Sequence, residues 1–262
     1  MPEGHIIHRI ARDHRKWLCG DAVDCESPQG RFHAGASRLQ GQVLQRVEAH
    51  GKHLFYHFDS SDVLHIHLGL YGRFRTHCLP LPTPQGAVRL RLSGQVHGFD
   101  LNGPNTCEIL DNGHLDVVRN RLGEDPLRRD AAPDLAWQRI SRSRAPIGRL
   151  LLDQSVIAGV GNIFRAEVLY ASCVHPDRQG RHLDRTEFDE IWQRLSSWMS
   201  IGVKYNRIIT ADPQRAGKTI GRLQREERLR IYKKPNCPKC GSAVHQWELA
   251  NRKMYACVNC QS

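Results

Sequence analysis

No run of about 18 apolar residues occurs in the 262-residue chain, so a membrane-spanning helix is not expected. A secretory signal is not expected either, because the opening MPEGHIIHRIARDH is too polar to hold the apolar stretch such a signal needs. Acid is scarce. The 27 Asp and Glu face 38 Lys and Arg, leaving a formal charge of +11. That excess favours a polyanionic partner, since Lys and Arg release counterions from a phosphate backbone. Charge alone does not separate nucleic acid from an anionic membrane. A disulfide framework is not expected either, because nine cysteines, an odd count without a secretion signal, fit a reducing compartment. No internal repeat is apparent. Forty per cent hydrophobic residues suffice for a real core, and the length allows one large domain or two ordinary ones.

Local patterning divides the chain. Ile6, Ile7, Ile10, Trp17 and Leu18 predict an amphipathic helix near the start. Six short, partly alternating runs follow: Val43–Val47, His53–Phe58, Val63–Leu68, Tyr71–His77, Val88–Leu92 and Cys107–Leu110. Gly51, Gly69, Gly86 and Gly94 lie between or beside them as strand breakers. Short antiparallel strands behind one leading helix predict a β-sandwich. RLGEDPLRRDAAP, Arg121–Pro133, looks like a linker, and helices are predicted over Leu135–Ser141, Ile147–Leu152, Ile163–Ala171 and about Thr186–Val203. Lys204–Asn236 has little periodicity. Ten Lys and Arg between Lys204 and Lys234 meet only Asp212, Glu226 and Glu227 there, a run that suits either a solvated loop or a polyanion contact.

Four stretches carry chemistry. Cys237-x2-Cys240 and Cys257-x2-Cys260, sixteen residues apart, match the four-cysteine pattern of one structural Zn2+. Val244–Tyr255 between the pairs can form a hairpin with Arg252 near its tip. Gly159, Gly161 and Asn162 ahead of a helix make either an ordinary αα corner or a seat for phosphate on exposed backbone N–H groups. Pro2, once Met1 is removed, becomes a secondary amine able to attack an aldehyde-like carbon, with Glu3 beside it as acid or base. A Pro-Glu pair also suits a plain helix start. Lys52 starts a strand. Leu70 and Tyr71 occupy a glycine-bounded turn that is either a buried hairpin or a wedge for a base stack. His65 and His67 share a strand face, and without a third ligand packing is the expected role.

Together these stretches resemble the formamidopyrimidine-DNA glycosylase/endonuclease VIII family of DNA repair enzymes. The resemblance runs through Met1–Gly4, Gly51–Leu54, Leu68–Gly72, Leu122–Leu127, Leu150–Pro176 and Cys237–Gln261. MPEG with Leu70-Tyr71-Gly72 looks more like the endonuclease VIII branch, and GKHLFYHF with CVNCQS is similar to actinobacterial members. The resemblance implies an α+β chain. A catalytic β-sandwich with a leading helix occupies residues 1–122 and a linker 123–133. A helix–two-turn–helix domain occupies 134–230, and a zinc finger 231–262.

It further implies a bifunctional glycosylase and AP lyase acting on double-stranded DNA with oxidised bases or abasic sites. Such a protein would be a monomer in the bacterial cytoplasm, off the membrane. Pro2 matches the Schiff-base nucleophile, Glu3 the acid/base, Lys52 the lysine near the sugar and its phosphates, and Arg252 the finger arginine on the lesion phosphate. Leu70 and Tyr71 match the wedge, Arg121 an interdomain DNA contact, and Asn162 the phosphate-binding Asn.

Three departures matter. His5-Ile6 replaces the usual Pro-Glu, Gly69 stands where some relatives carry Gln, and about Arg207–Arg230 lacks the formamidopyrimidine pattern. Oxidised pyrimidines are therefore the expected substrates. An 8-oxoguanine-type specificity and a non-catalytic binder of damaged DNA are the alternatives.

Overall fold

A computed structural model describes residues 2–262, save the side chains of Arg215 and Ala216. The chain divides into two compact units. The first comprises residues 1–3 and 7–121, and the second residues 4–6 and 122–262. Met1, whose removal the Pro2 reading invokes, lies outside the described residues.

The first unit is a β-sandwich. Helix α1 (Gly4–Leu18) leads into β1 (Asp24–Glu26), α2 (His33–Leu39), β2 (Leu44–His50), β3 (His53–Phe58) and β4 (Val63–His67). Then come β5 (Arg73–Cys78), β6 (Val88–Ser93), β7 (His97–Asn102), β8 (Thr106–Leu110) and α3 (Asn112–Asn120). One antiparallel sheet runs β1-β6-β7-β5 and the other β2-β3-β4-β8. Leu54, Tyr56, Leu64, Ile66, Leu90, Leu92, Phe99 and Leu101 fill the space between them. Each sheet places alternate residues inward, as the two-residue strand period requires. On the far face of the second sheet, α3 covers Phe55, Val63 and Leu110 with Leu115.

Helix α1 contributes Ile7, Ala11 and Leu18 to the core. These positions, with His14, recur at the three- and four-residue steps of one helix face. His14 is buried, its Nδ1 2.7 Å from the Tyr56 hydroxyl and its ring stacked on Phe99 at 4.7 Å. Burial lowers its pKa to about 3 against an ordinary 6.5. An unfolded chain takes up this proton below about pH 6.5, whereas the folded one resists until about 3. The contribution of neutral His14 to stability is therefore complete above that window and lost as pH falls through it. Histidine ring NMR should find His14 neutral at pH values down to about 5, and a protonation midpoint near 6.5 would contradict the burial argument.

The second unit is helical. Its helices are α4 (Pro133–Ile140), α5 (Ile147–Leu150), α6 (Asn162–Ala171) and α7 (Arg185–Tyr205). An antiparallel hairpin follows, β9 (His245–Glu248) with β10 (Lys253–Ala256). Asp184 and Glu187 form a reciprocal capping box at the start of α7, and Asn206 ends it in the left-handed conformation. Ile147, Leu151, Phe164, Leu169, Phe188, Leu195 and Met199 share one core with Val244, Met254, Tyr255 and Cys257. The hairpin is thus packed into the helical unit. Among the described residues, no helix is long and apolar enough to cross a membrane.

Two strands and two α-helices were not expected from the sequence, β1, β7, α2 and α3, nor was a 3-10 helix at Gly180–His182. The aperiodic Lys204–Asn236 stretch contains three short 3-10 helices.

Candidate nucleic-acid interface and active site

The turn between α5 and α6 is built around Gln154. Its Nε2 donates to the carbonyls of Leu152 (2.8 Å) and Val160 (3.0 Å), and its Oε1 accepts from the Gly159 N–H at 3.0 Å. One carboxamide thus fixes three backbone groups across the turn, and the Gly159 N–H is committed internally. Asn162 is the first residue of α6, not part of the turn itself, and is 9% exposed. Its Nδ2 donates to the Lys253 carbonyl of the hairpin at 2.9 Å, and its Oδ1 accepts from Arg165 at 2.5 Å. An amide nitrogen carries two hydrogens, and this bond uses one of them.

The same unit holds residues 4–6. The Gly4 N–H donates to the Gly159 carbonyl at 2.8 Å. A Cβ on Gly4 would lie 2.8 Å from both Gly159 Cα and Met199 Cε, too close for backbone to accept without moving. Gly4→Ala should therefore destabilise the protein by about 1–3 kcal/mol, the usual range for overpacking. Urea unfolding checks this, and an unchanged midpoint would mean the contact yields. His5 is buried, packs edge-on against Phe164 at 5.4 Å and faces Gly202. Burial lowers its pKa to about 4, so it stands neutral in the position where the resemblance leads one to expect proline.

The four cysteines converge. Cys237 Sγ lies 3.8 Å from Cys260 Sγ, Cys240 Sγ lies 3.4 Å from Cys257 Sγ, and all four fall within 4.8 Å of one another. Thiolates about 2.3 Å from a common tetrahedral ion stand roughly 3.8 Å apart, so the donor set fits a metal of that kind. Among the described residues, no other group of His, Cys, Asp or Glu does. Tyr170 of α6 brings its hydroxyl to 3.2 Å from Cys237 Sγ. His65 instead bonds His53 (2.8 Å) and Glu108 (2.9 Å), the packing role expected of it.

Beyond the cysteines, Leu249–Arg252 forms the hairpin turn. The Leu249 N–H donates to the Arg252 carbonyl at 3.0 Å. Ala250 and Asn251 take φ of 55° and 57°, the paired left-handed geometry of a two-residue hairpin turn. Arg252 sits exposed at its end.

In the first unit, Pro2 is half-buried and Glu3 is 2% exposed. Glu3 is the N-cap residue of α1, yet its side chain makes no capping bond to that helix. Its carboxylate still lies at the positive end of the helix dipole. Lys52 is half-buried in the β2–β3 turn. Leu70 and Tyr71 are 47% and 86% exposed in the β4–β5 turn, which rules out the buried-hairpin alternative for them. Gly69 beside them has φ +65°, and a Cβ there would meet Asn105 Cβ at 2.8 Å. Asn105 fills the space a larger residue at position 69 would need. Arg121 caps the C-terminus of α3 and is exposed.

Sequence reading missed Arg165 and Glu167. Glu167, fully buried, accepts from the N–H groups of Arg230 (2.6 Å), Ile231 (2.9 Å) and Tyr232 (2.7 Å) and from the Thr210 hydroxyl. It thereby pins both ends of the basic 211–229 segment. The signal was a pair of charges inside an apolar helix, at positions where only internal partners make charge tolerable.

Comparison with known proteins gives a consistent result. Residues 1–104 match the formamidopyrimidine-DNA glycosylase N-terminal domain, and residues 122–214 match the formamidopyrimidine-DNA glycosylase H2TH domain. Endonuclease 8 1 of Mycobacterium tuberculosis is 44% identical over 268 residues, covering 100% of both chains. The formamidopyrimidine-DNA glycosylase of Thermomicrobium roseum is 29% identical, covering 86% of this chain and 84% of its own. A solved complex of the Lactococcus lactis Fpg with abasic-site DNA has the same fold, with TM-score 0.80, 20% identity and 99% coverage of both chains. The chain belongs to the formamidopyrimidine-DNA glycosylase/endonuclease VIII family of DNA glycosylase/AP lyase enzymes.

Proposed function

We propose that the protein is a bifunctional DNA glycosylase/AP lyase of base excision repair that removes oxidised pyrimidines through a Schiff base on Pro2. The observation that carries this reading is Glu3. Glu3, 2% exposed at the start of α1 and directly after Pro2, sets an acid/base group beside the nitrogen that would attack the sugar.

The chemistry follows from the amine. A target base inside a duplex is out of reach at C1′, so the nucleotide is turned out of the stack, with Leu70 and Tyr71 filling the gap. Pro2 nitrogen bonds C1′ as the glycosidic bond breaks and the base leaves with a proton. Glu3 protonates the ring oxygen, the sugar opens, and a cationic iminium forms. The cation makes the 2′ proton acidic. Its removal expels the 3′ phosphate, and a second elimination expels the 5′ phosphate. Water then releases the sugar remnant and restores the amine. Lys52 lies near the sugar and its phosphates. Asn162 and Arg252 hold phosphates of the lesion strand, and Arg121 adds a further DNA contact.

One Zn2+ on Cys237, Cys240, Cys257 and Cys260 supplies a structural cross-link. Four protein ligands leave no place on it for substrate. Residues 1–122, 123–133, 134–230 and 231–262 serve as catalytic sandwich, linker, DNA-binding helices and zinc finger. The partner is double-stranded DNA in the bacterial cytoplasm, engaged by a monomer.

Borohydride reduction tests the reading. The zinc-loaded protein should form a covalent complex with duplexes carrying an abasic site or thymine glycol. Failure to trap either would overturn it. Faster cleavage of 8-oxoguanine than of thymine glycol would move the protein to the other branch.

A further inference from the structure

We infer that Arg165 is a positioning residue that locks α5, the start of α6 and the hairpin tip into one phosphate clamp. The inference rests on the reading of Asn162 and Arg252 as phosphate-binding groups and adds what holds them in register.

Arg165 is fully buried, one helical turn beyond Asn162 on α6. Its Nη2 donates to Asn162 Oδ1 at 2.5 Å. Its Nη1 donates to the Leu249 carbonyl at 3.0 Å and to the Gly148 carbonyl at 3.2 Å. One planar guanidinium thus reaches three structures: the start of α6, the tip of the hairpin and α5. Leu249 is the first residue of the turn that ends on Arg252. Asn162 Nδ2 closes the loop of contacts on the Lys253 carbonyl, immediately past Arg252.

A second, apolar anchor acts at the same place. A Cβ on Gly148 would lie 2.7 Å from the Leu249 side chain, which packs against the core of the unit. The tip is therefore held from below by Leu249 and from the side by Arg165.

The orientation of Asn162 also follows. With Oδ1 taken by Arg165, the amide cannot flip, and its NH2 must face the hairpin and what lies beyond it. A lysine at 165 offers a point charge without the fork that meets separated acceptors in one plane. Arg165 touches no reacting atom in this scheme. It acts through Asn162 and Arg252.

The test is binding to a duplex carrying a tetrahydrofuran abasic analogue, which needs no chemistry. Arg165→Lys should weaken binding by roughly tenfold or more. It should also make the slope of log K against log salt shallower by about one to two, the signature of lost phosphate contacts. In an Asn162→Ala/Arg252→Ala background the same change should cost almost nothing, because the groups it positions are gone. A general loss of folding would instead be additive.

If Asn162→Ala/Arg252→Ala binds like wild type, the phosphate reading falls and this inference with it. If that pair of changes weakens binding but Arg165→Lys costs the same in both backgrounds, this inference alone is overturned. Should Arg165→Lys not fold, Leu249→Ala keeps the buried charge and loosens the tip. Its loss must likewise vanish in the doubly substituted background, and an additive loss overturns the inference.

Discussion

Pro2→Gly should lower borohydride trapping by about a hundredfold or more, a barrier increase of roughly 2.7 kcal/mol. The change keeps an α-amino group at the chain terminus, with its pKa well below that of a lysine. What it removes is the secondary amine. An iminium on proline has no N–H to lose and stays cationic at every pH, so it remains an electron sink through both eliminations. A glycine imine must be protonated to do the same and loses that proton as pH rises. The residual activity of Pro2→Gly should therefore fall more steeply toward alkaline pH than that of wild type. Glu3→Gln offers the contrast. It removes a carboxylate at the N-terminus of α1 while keeping its shape, and the proton it would give to the ring oxygen is needed most when an intact nucleotide opens. A pre-formed abasic site is already partly an open aldehyde. Base removal should thus suffer more than strand cleavage at an abasic site, measured on matched duplexes. Equal losses on both substrates would place Glu3 outside the ring-opening step.

How much of this was legible depended on how local each signal was. The paired cysteines announce themselves by spacing, and the structure gathers their sulfurs within 4.8 Å. The leading helix was legible because, of its apolar set, Ile7 and Leu18 enter the core and Ile10 and Trp17 pack against it. Strand β7 was not. HGFDLN supplies only Phe99 and Leu101 to the core face, and Asp100 is buried on the other face, where Arg91 meets it with two bonds, at 2.6 and 2.9 Å, and His77 lies 3.2 Å away. Helix α3 hid behind Asp111-Asn112-Gly113, which reads as a turn. In the fold Asp111 is its N-cap, accepting from the His114 N–H at 2.8 Å. Helix α2 is short and carries Gly35, so propensity gave no help. The turn at Gly159–Asn162 was legible as a motif but not as a mechanism. The partners of Asn162 and Arg165 on the hairpin lie 91 and 84 residues away in sequence. No window along the chain reveals that the helix start and the hairpin tip are one assembly.

Removing the metal should abolish trapping by at least about tenfold while leaving the sandwich folded. A two-stranded hairpin is marginal by itself in water, and β9 and β10 have only four residues each. Structural zinc binds finger peptides with an apparent 10–16 kcal/mol, ample to decide whether such a hairpin holds its register. Here register is functional. Lys253 must present its carbonyl to Asn162 and Leu249 must present its own to Arg165. A slip of one residue would turn both sets of side chains to the opposite face. The effect should stay within the second unit, because Met254, Tyr255 and Cys257 belong to its core whereas the sandwich has a core of its own. Chelation, or Cys240→Ser, should therefore lower the stability of the helical unit and give unfolding in two steps. Far-UV signal from the strands should persist through the first step, and trapping should return on adding Zn2+ to chelated wild type. Atomic absorption should find one zinc per chain. If protein stripped below a tenth of that stoichiometry traps abasic DNA as fast as the loaded form, the hairpin does not need its ion to hold Arg252 in place.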